Sequence, residues 1–303
     1  VQAGEVVRTI GEGLYKAALA VKIDGKKYDL STTITADCAI EVLTFKNDEG
    51  KDIYWHSSSH VMAQAVKELF PETKVAIGPS IETGFYYDFD REKAFTQEDL
   101  EKIEKKIEEL VKANHSFERK EVDRDEAIKF FEKEGEIYKV EILKELPEGE
   151  TISMYTQGSF VDLCRGPHVE NTGKLGVFKL LNVAGAYWRG DSSKKMLQRI
   201  YAISFPSKKE LKQYITMREE AALRDHRKIG KDLGLFTINE QVGPGLVLWL
   251  PKGAVMRDVI ESFWKKEHRK AGYVLVNTPH VGKASLWETS GHLSFYKDGM
   301  YAG

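Results

Sequence analysis

Residues 56–70, HSSSHVMAQAVKELF, carry two imidazole side chains four positions apart at the start of an apolar run. The apolar residues of this run recur every four positions, and that spacing predicts a helix. Residues four apart share one helix face, so we expect His56 and His60 to point the same way from the first turns of this helix.

A second stretch, residues 158–168 with the sequence GSFVDLCRGPH, predicts a strand that ends in a turn. No helix interior carries a Gly-Pro step, and strand alternation places Phe160, Asp162 and Cys164 on one side. The turn then brings His168 back toward the strand end. An acid, a thiol and an imidazole are therefore predicted to converge at one strand terminus.

Three interpretations of these residues are open. In the first, the histidines lie on a solvated helix face and the thiol is a small buried apolar group. In the second, the stretches bind zinc, because imidazole and thiolate are its preferred ligands and together they supply up to four. In the third, the same groups form a metal-free hydrolytic site that orients a water and an ester. The run HSSSH lacks the glutamate of HExxH zinc proteases.

Composition is ordinary for a globular protein, with 42% hydrophobic and 30% charged residues among 303, a length that predicts two or more domains. No apolar run approaches the roughly 20 residues of a membrane span, and no signal-peptide pattern opens the chain. Only Cys38 and Cys164 are present, which excludes a disulfide framework and favours a reducing compartment. We therefore expect a cytoplasmic protein without a membrane partner.

The net charge of −2 does not indicate a nucleic-acid binder, because phosphate recognition needs local positive charge. Residues 206–232, however, contain eight Lys or Arg against five Asp or Glu. This local surplus fits either an ordinary exposed helix or an RNA contact.

Four longer stretches resemble, in the same order and over nearly all of the chain, the N-terminal part of the bacterial-type threonyl-tRNA synthetase family. They are residues 56–90 (HSSSHVMAQAVKELFPETKVAIGPSIETGFYYDFD), 162–205 (DLCRGPHVENTGKLGVFKLLNVAGAYWRGDSSKKMLQRIYAISF), 224–236 (RDHRKIGKDLGLF) and 286–301 (LWETSGHLSFYKDGMY). Four long matching stretches in the same order are far more specific evidence for a family than one short motif.

The resemblance implies an α+β multidomain protein. Residues 1–50, which have short β-type runs around Gly and Asp turns, resemble a ubiquitin-like β-grasp (TGS) domain that is incomplete at its N-terminus. Residues 51–206 resemble an α+β editing domain, and residues 207–232 a linker helix. Residues 233–303 resemble the beginning of a class II antiparallel-sheet catalytic domain, which includes motif 1 and stops before the ATP-binding motifs.

Capping residues predict two helix starts. Thr96 followed by Asp99 is typical of a capping box, and apolar residues then follow at helical spacing. Ser207 followed by Glu210 predicts another helix, which runs toward Ile229 and in the family links editing to catalysis.

The last segment predicts a helix and then a strand. Four apolar residues at helical spacing are expected to face inward: Val255, Val259, Ile260 and Phe263. Residues 273–277, YVLVN, predict a strand that stops before Pro279. In class II enzymes this unit forms the dimer interface, so the resemblance implies a homodimer; a plain helix-strand unit in a core would fit the same pattern.

The activity that the resemblance implies is that of a class II threonine–tRNA ligase, which joins L-threonine to tRNA(Thr) with ATP. Serine lacks only a methyl, worth about 1–3 kcal/mol of discrimination, so a second pocket that hydrolyses seryl-tRNA(Thr) is needed. For this chain alone we expect only that ester hydrolysis, with tRNA(Thr) and the L-serine ester as partners.

Editing is expected to need no cofactor, while ATP with Mg and a zinc ion are expected only in the missing catalytic part.

The family match also implies residue roles. We expect His56 to contact the terminal ribose hydroxyls and relay a proton, Lys139 to hold or activate the water, and Asp162 to bind the seryl ammonium group. The remaining residues would shape and polarise the pocket: His60, Cys164 and His168, with Tyr87 nearby. Without the match, Lys139 would be interpreted as an exposed strand lysine and Tyr87 as a packing aromatic.

Three alternatives stay open on the sequence. The first is a zinc-dependent hydrolase of the alanyl editing type, whose ligands would be His56, His60, Cys164 and His168. The second is a non-catalytic RNA-binding or regulatory fragment. The third is that the Cys164 thiolate attacks as a nucleophile. We predict water attack and no metal in this chain.

Overall fold

The computed structural model describes residues 1–296 and 300, and it divides the chain into two compact units, Val1–Glu219 and Glu220–Gly303. The helices are α1 (Ala3–Ile10), α2 (Glu12–Ala17), α3 (Asp48–Leu69), α4 (Gln97–Ala113), α5 (Arg124–Lys133), α6 (Ile137–Glu145), α7 (Lys208–Leu223), α8 (His226–Asp232), α9 (Pro251–Lys270), α10 (Ala284–Thr289) and α11 (His292–Phe295). The strands are β1 (Ala18–Ile23), β2 (Lys26–Tyr28), β3 (Ile40–Thr44), β4 (Lys74–Val75), β5 (Ser80–Ile81), β6 (Gly84–Asp90), β7 (Glu118–Val122), β8 (Ile152–Gln157), β9 (Phe160–Leu163), β10 (Val177–Tyr187), β11 (Met196–Phe205), β12 (Phe236–Ile238) and β13 (Val247–Trp249). The strands pair into several antiparallel sheets, which is consistent with the predicted α+β class.

The N-terminal part of the first unit contains a small sheet in the order β2-β1-β3. Its strands coincide with the β-type runs of the sequence, and the β1–β2 hairpin turns at Asp24 and Gly25, both with positive φ. Two helices that the sequence analysis did not predict, α1 and α2, precede the sheet. Apolar residues of α1, β1 and the chain after β2 form their own core: Ala3, Val7, Ala18, Val21 and Leu30.

The largest sheet has the order β10-β11-β6-β4, with β5 also paired to β6. Helices α3 and α4 pack against it in one hydrophobic core that includes Leu19 and Leu43 of the small sheet. Helix α3 begins at Asp48, about two turns before His56, so the expectation that the two histidines occupy its first turns is wrong. Acidic residues at its first turn, Asp48 and Glu49, favour this earlier start through the helix dipole.

A third sheet, in the order β7-β8-β9, carries the predicted strand of residues 160–163. Helices α5 and α6 pack beside it. Lys139 lies on α6 and is buried, so the interpretation as an exposed strand lysine is wrong. Its alternating apolar neighbours suited a strand, but the packing of α6 decided the structure.

Both predicted caps are present. Thr96 and Asp99 form a reciprocal capping box at the start of α4, and Ser207 bonds Glu210 at the start of α7. The second helix does not continue to Ile229, however, because α7 ends at Leu223 and α8 begins at His226. The Asp225 side chain caps α8, which explains the break.

The second unit contains the short hairpin β12–β13 and the predicted helix α9. The four residues expected to face inward on α9 are 60–66% exposed, because no described element covers that face. Residues 273–277 form no strand, since a strand needs a partner and none of the described residues pairs with them. The end of the predicted class II segment, residues 297–299 and 301–303, lies outside the described residues.

Among the helices of residues 1–296, none combines the length and hydropathy that a bilayer-spanning segment requires.

Candidate functional site

Helix α3 presents two imidazoles on one face. The ring centroids of His56 and His60 lie 5.0 Å apart and the rings are tilted by 78°. Both project from the buried middle of α3, toward the end of strand β9.

The turn after β9 brings a thiol and a third imidazole to these rings. Cys164 Sγ lies 3.0 Å from His56 Nε2 and 3.3 Å from His168 Nε2. The Gly166 backbone N–H donates to the same sulfur at 3.2 Å. Gly166 has φ +69°, and a Cβ there would overlap the Tyr155 hydroxyl, so the turn requires glycine. The two motif pairs therefore meet at the thiol.

Aromatic packing and one hydroxyl fix the ring of His168. Phe117 stacks on it at 4.9 Å between centroids, with an interplanar angle of 9°. The Ser57 hydroxyl donates to the Ile53 carbonyl at 2.8 Å and lies 3.0 Å from His168 Nδ1. Because that hydroxyl has one proton, we assign the donor role to Nδ1–H of His168. Nε2 then keeps a lone pair that faces Cys164.

The loop after β4 closes the other side of His56. The Gly78 backbone forms a hydrogen bond with the His56 ring, and the Ser59 hydroxyl donates to the Gly78 carbonyl at 2.6 Å. A Cβ at Gly78 would overlap the ring of Tyr87. Glycine thus allows the loop to approach both rings closely.

A buried ion pair lies beside the imidazoles. Lys139 and Asp162 are 3% and 1% exposed, and the ammonium group contacts the carboxylate directly. The Tyr87 hydroxyl donates to Asp162 Oδ2 at 2.7 Å and accepts from Lys139 Nζ at 3.0 Å. His60 Nδ1 lies 3.6 Å from Asp162 Oδ2 and makes no hydrogen bond. The pair is therefore held by Tyr87 and borders His60.

Burial sets the protonation of the cluster. Desolvation lowers the pKa of His56, and it lowers the pKa values of His60 and His168 well below their ordinary value, with repulsion among the rings adding to the effect. Burial also raises the pKa of the Cys164 thiol to about 12. At neutral pH the site consequently holds three neutral imidazoles and a thiol next to one ion pair.

The cluster opens into a cleft of about 570 Å³. Its polar lining includes His56, His60, Lys139, Asp162 and Cys164, and its apolar wall comes mainly from residues 77–79, α6 and β9. Two of the predicted site residues, His168 and Tyr87, do not line this cleft; they lie behind Cys164 and Asp162 and support them. A ligand in the cleft can therefore reach an imidazole, a thiol, an ammonium group and a carboxylate.

The cluster also satisfies the donor requirement of a zinc site. One ligand atom from each of four residues lies within 4.8 Å of the others: His56, His60, Cys164 and His168. Because Nδ1 of His168 is hydrogen-bonded to Ser57, its Nε2 keeps the lone pair that a metal ligand requires. The donor types and their spacing fit the group.

Two residues that support the site were not predicted from the sequence. Asp29 accepts a hydrogen bond from the His168 backbone across 139 positions, and no local pattern indicates such a contact. Ser57 sits between the two histidines in HSSSH, and its position one residue after His56 could have marked it as a ring partner.

Part of the site lies in a segment that matches a known family model. A family model described as the threonyl and alanyl tRNA synthetase second additional domain matches residues 152–201, which include the thiol-imidazole turn.

Relatives match over almost all of this chain. Threonine–tRNA ligases from Carboxydothermus hydrogenoformans and Acetivibrio thermocellus are 56% and 54% identical over 98% of it and 47% of their own length. The one from Magnetococcus marinus is 51% identical over 99% of this chain and 46% of its own. The chain thus spans about half the length of these relatives.

Proposed function

The chain is related along nearly its whole length to the threonine–tRNA ligases, a family of aminoacyl-tRNA synthetases, and on that premise we propose that it carries a proofreading site that hydrolyses seryl-tRNA(Thr). In this proposal residues 1–50 are the TGS domain, 51–206 the editing domain, 207–232 the linker and 233–303 the beginning of the catalytic domain. The intact protein would ligate L-threonine to tRNA(Thr) with ATP and Mg. Its dimer would form through the exposed apolar face of α9.

The observation that carries the proposal is that a carboxylate, an ammonium group and a neutral imidazole line the same cleft. Asp162 offers a carboxylate for the ammonium group of an aminoacyl ester, and Lys139 offers an ammonium group for a water or an oxyanion. His56 stands beside them with a neutral ring that can accept a proton. An aminoacyl ester needs these three functions together.

The proposed reaction uses water as the nucleophile. A water held near Lys139 attacks the ester carbonyl carbon and gives a proton to His56 Nε2. The bond from that carbon to the terminal ribose oxygen then breaks, and His56 returns the proton to this departing oxygen, which becomes the ribose hydroxyl and leaves free serine and intact tRNA. Cys164 is a poor nucleophile here because burial raises its pKa to about 12, which keeps the thiol protonated.

Serine would be selected by the missing methyl of its side chain. The cleft as a whole holds more than one amino acid, so exclusion of threonine must come from the immediate surroundings of the bound side chain. Discrimination of about 1–3 kcal/mol is expected for one methyl.

Incubation of this chain with seryl-tRNA(Thr) is expected to release serine. The double variant His56→Ala with His168→Ala should release it at least about 100-fold more slowly, because the general base and the support of Cys164 are both lost. His226→Ala, which removes an exposed histidine of the second unit, should leave the rate unchanged. Release is measured from the 3′ end of labelled tRNA. Retention of the ester by the unmodified chain would favour a non-catalytic RNA-binding module.

A zinc-dependent hydrolase is a second candidate, because four His and Cys donor atoms converge. His56, His60, Cys164 and His168 would hold the ion, and zinc would supply Lewis-acid activation of water or of the ester carbonyl. The His168 tautomer set by Ser57 suits either mechanism.

Elemental analysis distinguishes these two candidates. We expect less than about 0.1 zinc per chain after purification without added metal, because the proposed hydrolysis relies on water, Lys139 and His56 and needs no metal ion, whereas a zinc site would hold the four side chains as deprotonated ligands. One zinc per chain in the unmodified protein, lost in His56→Ala and retained in His226→Ala, would establish the zinc-dependent alternative instead.

A further inference from the structure

Asp29 lies outside the proposed editing domain yet contacts the thiol-imidazole turn. It follows strand β2 and is partly buried. Its Oδ1 accepts a hydrogen bond from the His168 backbone N–H at 2.6 Å, and its Oδ2 accepts one from the Tyr155 hydroxyl at 2.7 Å. Both oxygens of one carboxylate are therefore directed at the residues around the site.

The two bonds act on the same ring from different sides. The backbone bond fixes the position of His168 along the turn, while Tyr155 packs edge-on against its imidazole, with centroids 4.4 Å apart. A charge-assisted bond to a backbone N–H is among the stronger hydrogen bonds of a protein. Asp29 thus constrains His168, and His168 in turn supports Cys164 at the cleft.

The action of Asp29 is positional. Desolvation and the two other imidazoles lower the pKa of His168, and Asp29 is not among the causes. Its carboxylate faces the backbone of His168, whereas the ring is bonded by Ser57 and Cys164. Removal of Asp29 should therefore displace the turn without changing the chemical identity of any group in the cleft.

A second contact of the N-terminal segment provides a natural control. Tyr15 donates its hydroxyl proton to Glu170 at 2.8 Å, two residues beyond His168, and so joins the same two segments. It touches neither the ring nor the backbone of His168. Loss of this contact weakens the attachment of the segment while the turn itself keeps its hydrogen bonds.

We propose that Asp29 is a positioning residue of the hydrolytic site, through which the N-terminal segment fixes the Cys164–His168 turn by its hydrogen bonds to His168 and Tyr155. The inference rests on the proposed function, and it adds to it a dependence of editing on a residue of the first 50. Asp29 does not touch the ester; its effect is transmitted by His168 and Cys164.

The kinetic test compares Asp29→Ala, Asp29→Asn and Tyr15→Phe in the complete chain. For serine release from seryl-tRNA(Thr), Asp29→Ala should lower kcat about tenfold, with KM within about twofold, as expected for loss of a charge-assisted hydrogen bond that holds the catalytic geometry. Asp29→Asn should restore at least half of kcat, because its carbonyl still accepts from His168 and its amide can donate to Tyr155. Tyr15→Phe should behave as the unmodified chain.

Three kinetic results would overturn the inference. The first is an unchanged kcat in Asp29→Ala. The second is an equal loss in Tyr15→Phe, which would indicate general docking of the segment. The third is a rise in KM at constant kcat, which would assign Asp29 to RNA binding.

A measurement without catalysis keeps the inference separate from the proposed function. In a Cys38→Ser background, iodoacetamide should alkylate Cys164 about tenfold faster when Asp29→Ala is added, because displacement of the turn would make the mostly buried thiol more accessible to the reagent. Adding Asp29→Asn, which removes the carboxylate charge near Cys164 but keeps groups able to form both hydrogen bonds, should give little change, and so should Tyr15→Phe. If the unmodified chain releases no serine but this acceleration occurs, the proposed function fails and the positioning role stands. An unchanged alkylation rate in Asp29→Ala overturns the positioning role whatever the kinetics.

Discussion

Replacing Lys139 by methionine is expected to lower the free energy of unfolding of the first unit by about 3–5 kcal/mol. The ammonium group is buried against Asp162 and donates to Tyr87, so its removal leaves the carboxylate buried without a counter-charge. Methionine has a similar length, so loss of packing contributes little. The measurement is urea unfolding followed by near-UV circular dichroism, which reports on the buried aromatic side chains of this unit.

Two further variants identify the cause of that loss. Lys144→Met removes a lysine from the same helix, α6, whose exposed side chain lies 3.4 Å from Glu132, and it should cost less than about 1 kcal/mol. Adding Asp162→Asn to Lys139→Met should recover part of the stability, because the isolated charge disappears while a hydrogen bond to Tyr87 remains possible. A double variant less stable than Lys139→Met alone would contradict this explanation.

Lowering the pH from about 7 to 5.5 is expected to destabilise the first unit steeply. Burial lowers the folded-state pKa values of His56, His60 and His168, so below pH 6.5 the unfolded chain binds protons that the folded chain does not. Stability is therefore complete above the unfolded pKa and is lost as the pH falls below it. If the unfolded chain bound all three protons and the folded chain none, the slope would approach a limit of about 4 kcal/mol per pH unit at pH values below 6.5.

The slope is obtained from urea midpoints measured at several pH values in that window, which lies above the ordinary pKa range of carboxyl groups. His56→Gln removes one buried imidazole and should reduce the slope by at most about 1.4 kcal/mol per pH unit. His226→Gln, at an exposed histidine of the second unit, should leave it unchanged. A flat profile between pH 7 and 5.5 would show that the buried imidazoles accept protons in the folded protein.

Much of the local structure could be predicted from the sequence because its causes lie within a few residues. The capping box of Thr96 and Asp99 begins α4 as expected, and the strand before the Gly-Pro step is β9. The helix that carries the histidines was predicted, although its start was placed too late, since an apolar repeat marks the buried face and gives little information about the first turn.

Other predictions failed where the structure of a segment depends on which other part of the fold packs or pairs with it. Residues 273–277 have β propensity but form no strand, because a strand is stable only when its backbone groups are paired. The apolar face of α9 was expected to be buried and is exposed among the described residues, since periodicity shows that a face can be covered but not what covers it. Without the family match Lys139 would be interpreted as exposed, and it is buried because Asp162 provides the counter-charge that a buried lysine needs.

The sequence by itself determined which chemical groups are present and how each local pair is arranged: two imidazoles on one helix face, and an acid and a thiol on one side of a strand. Helical and strand periods fix such relations within four residues. Only the tertiary structure decided that His56 meets Cys164 across 108 positions, that Lys139 is buried against Asp162, and that Asp29 accepts a hydrogen bond from His168. Those contacts, and the pKa shifts that burial produces, depend on which surfaces the whole fold removes from water.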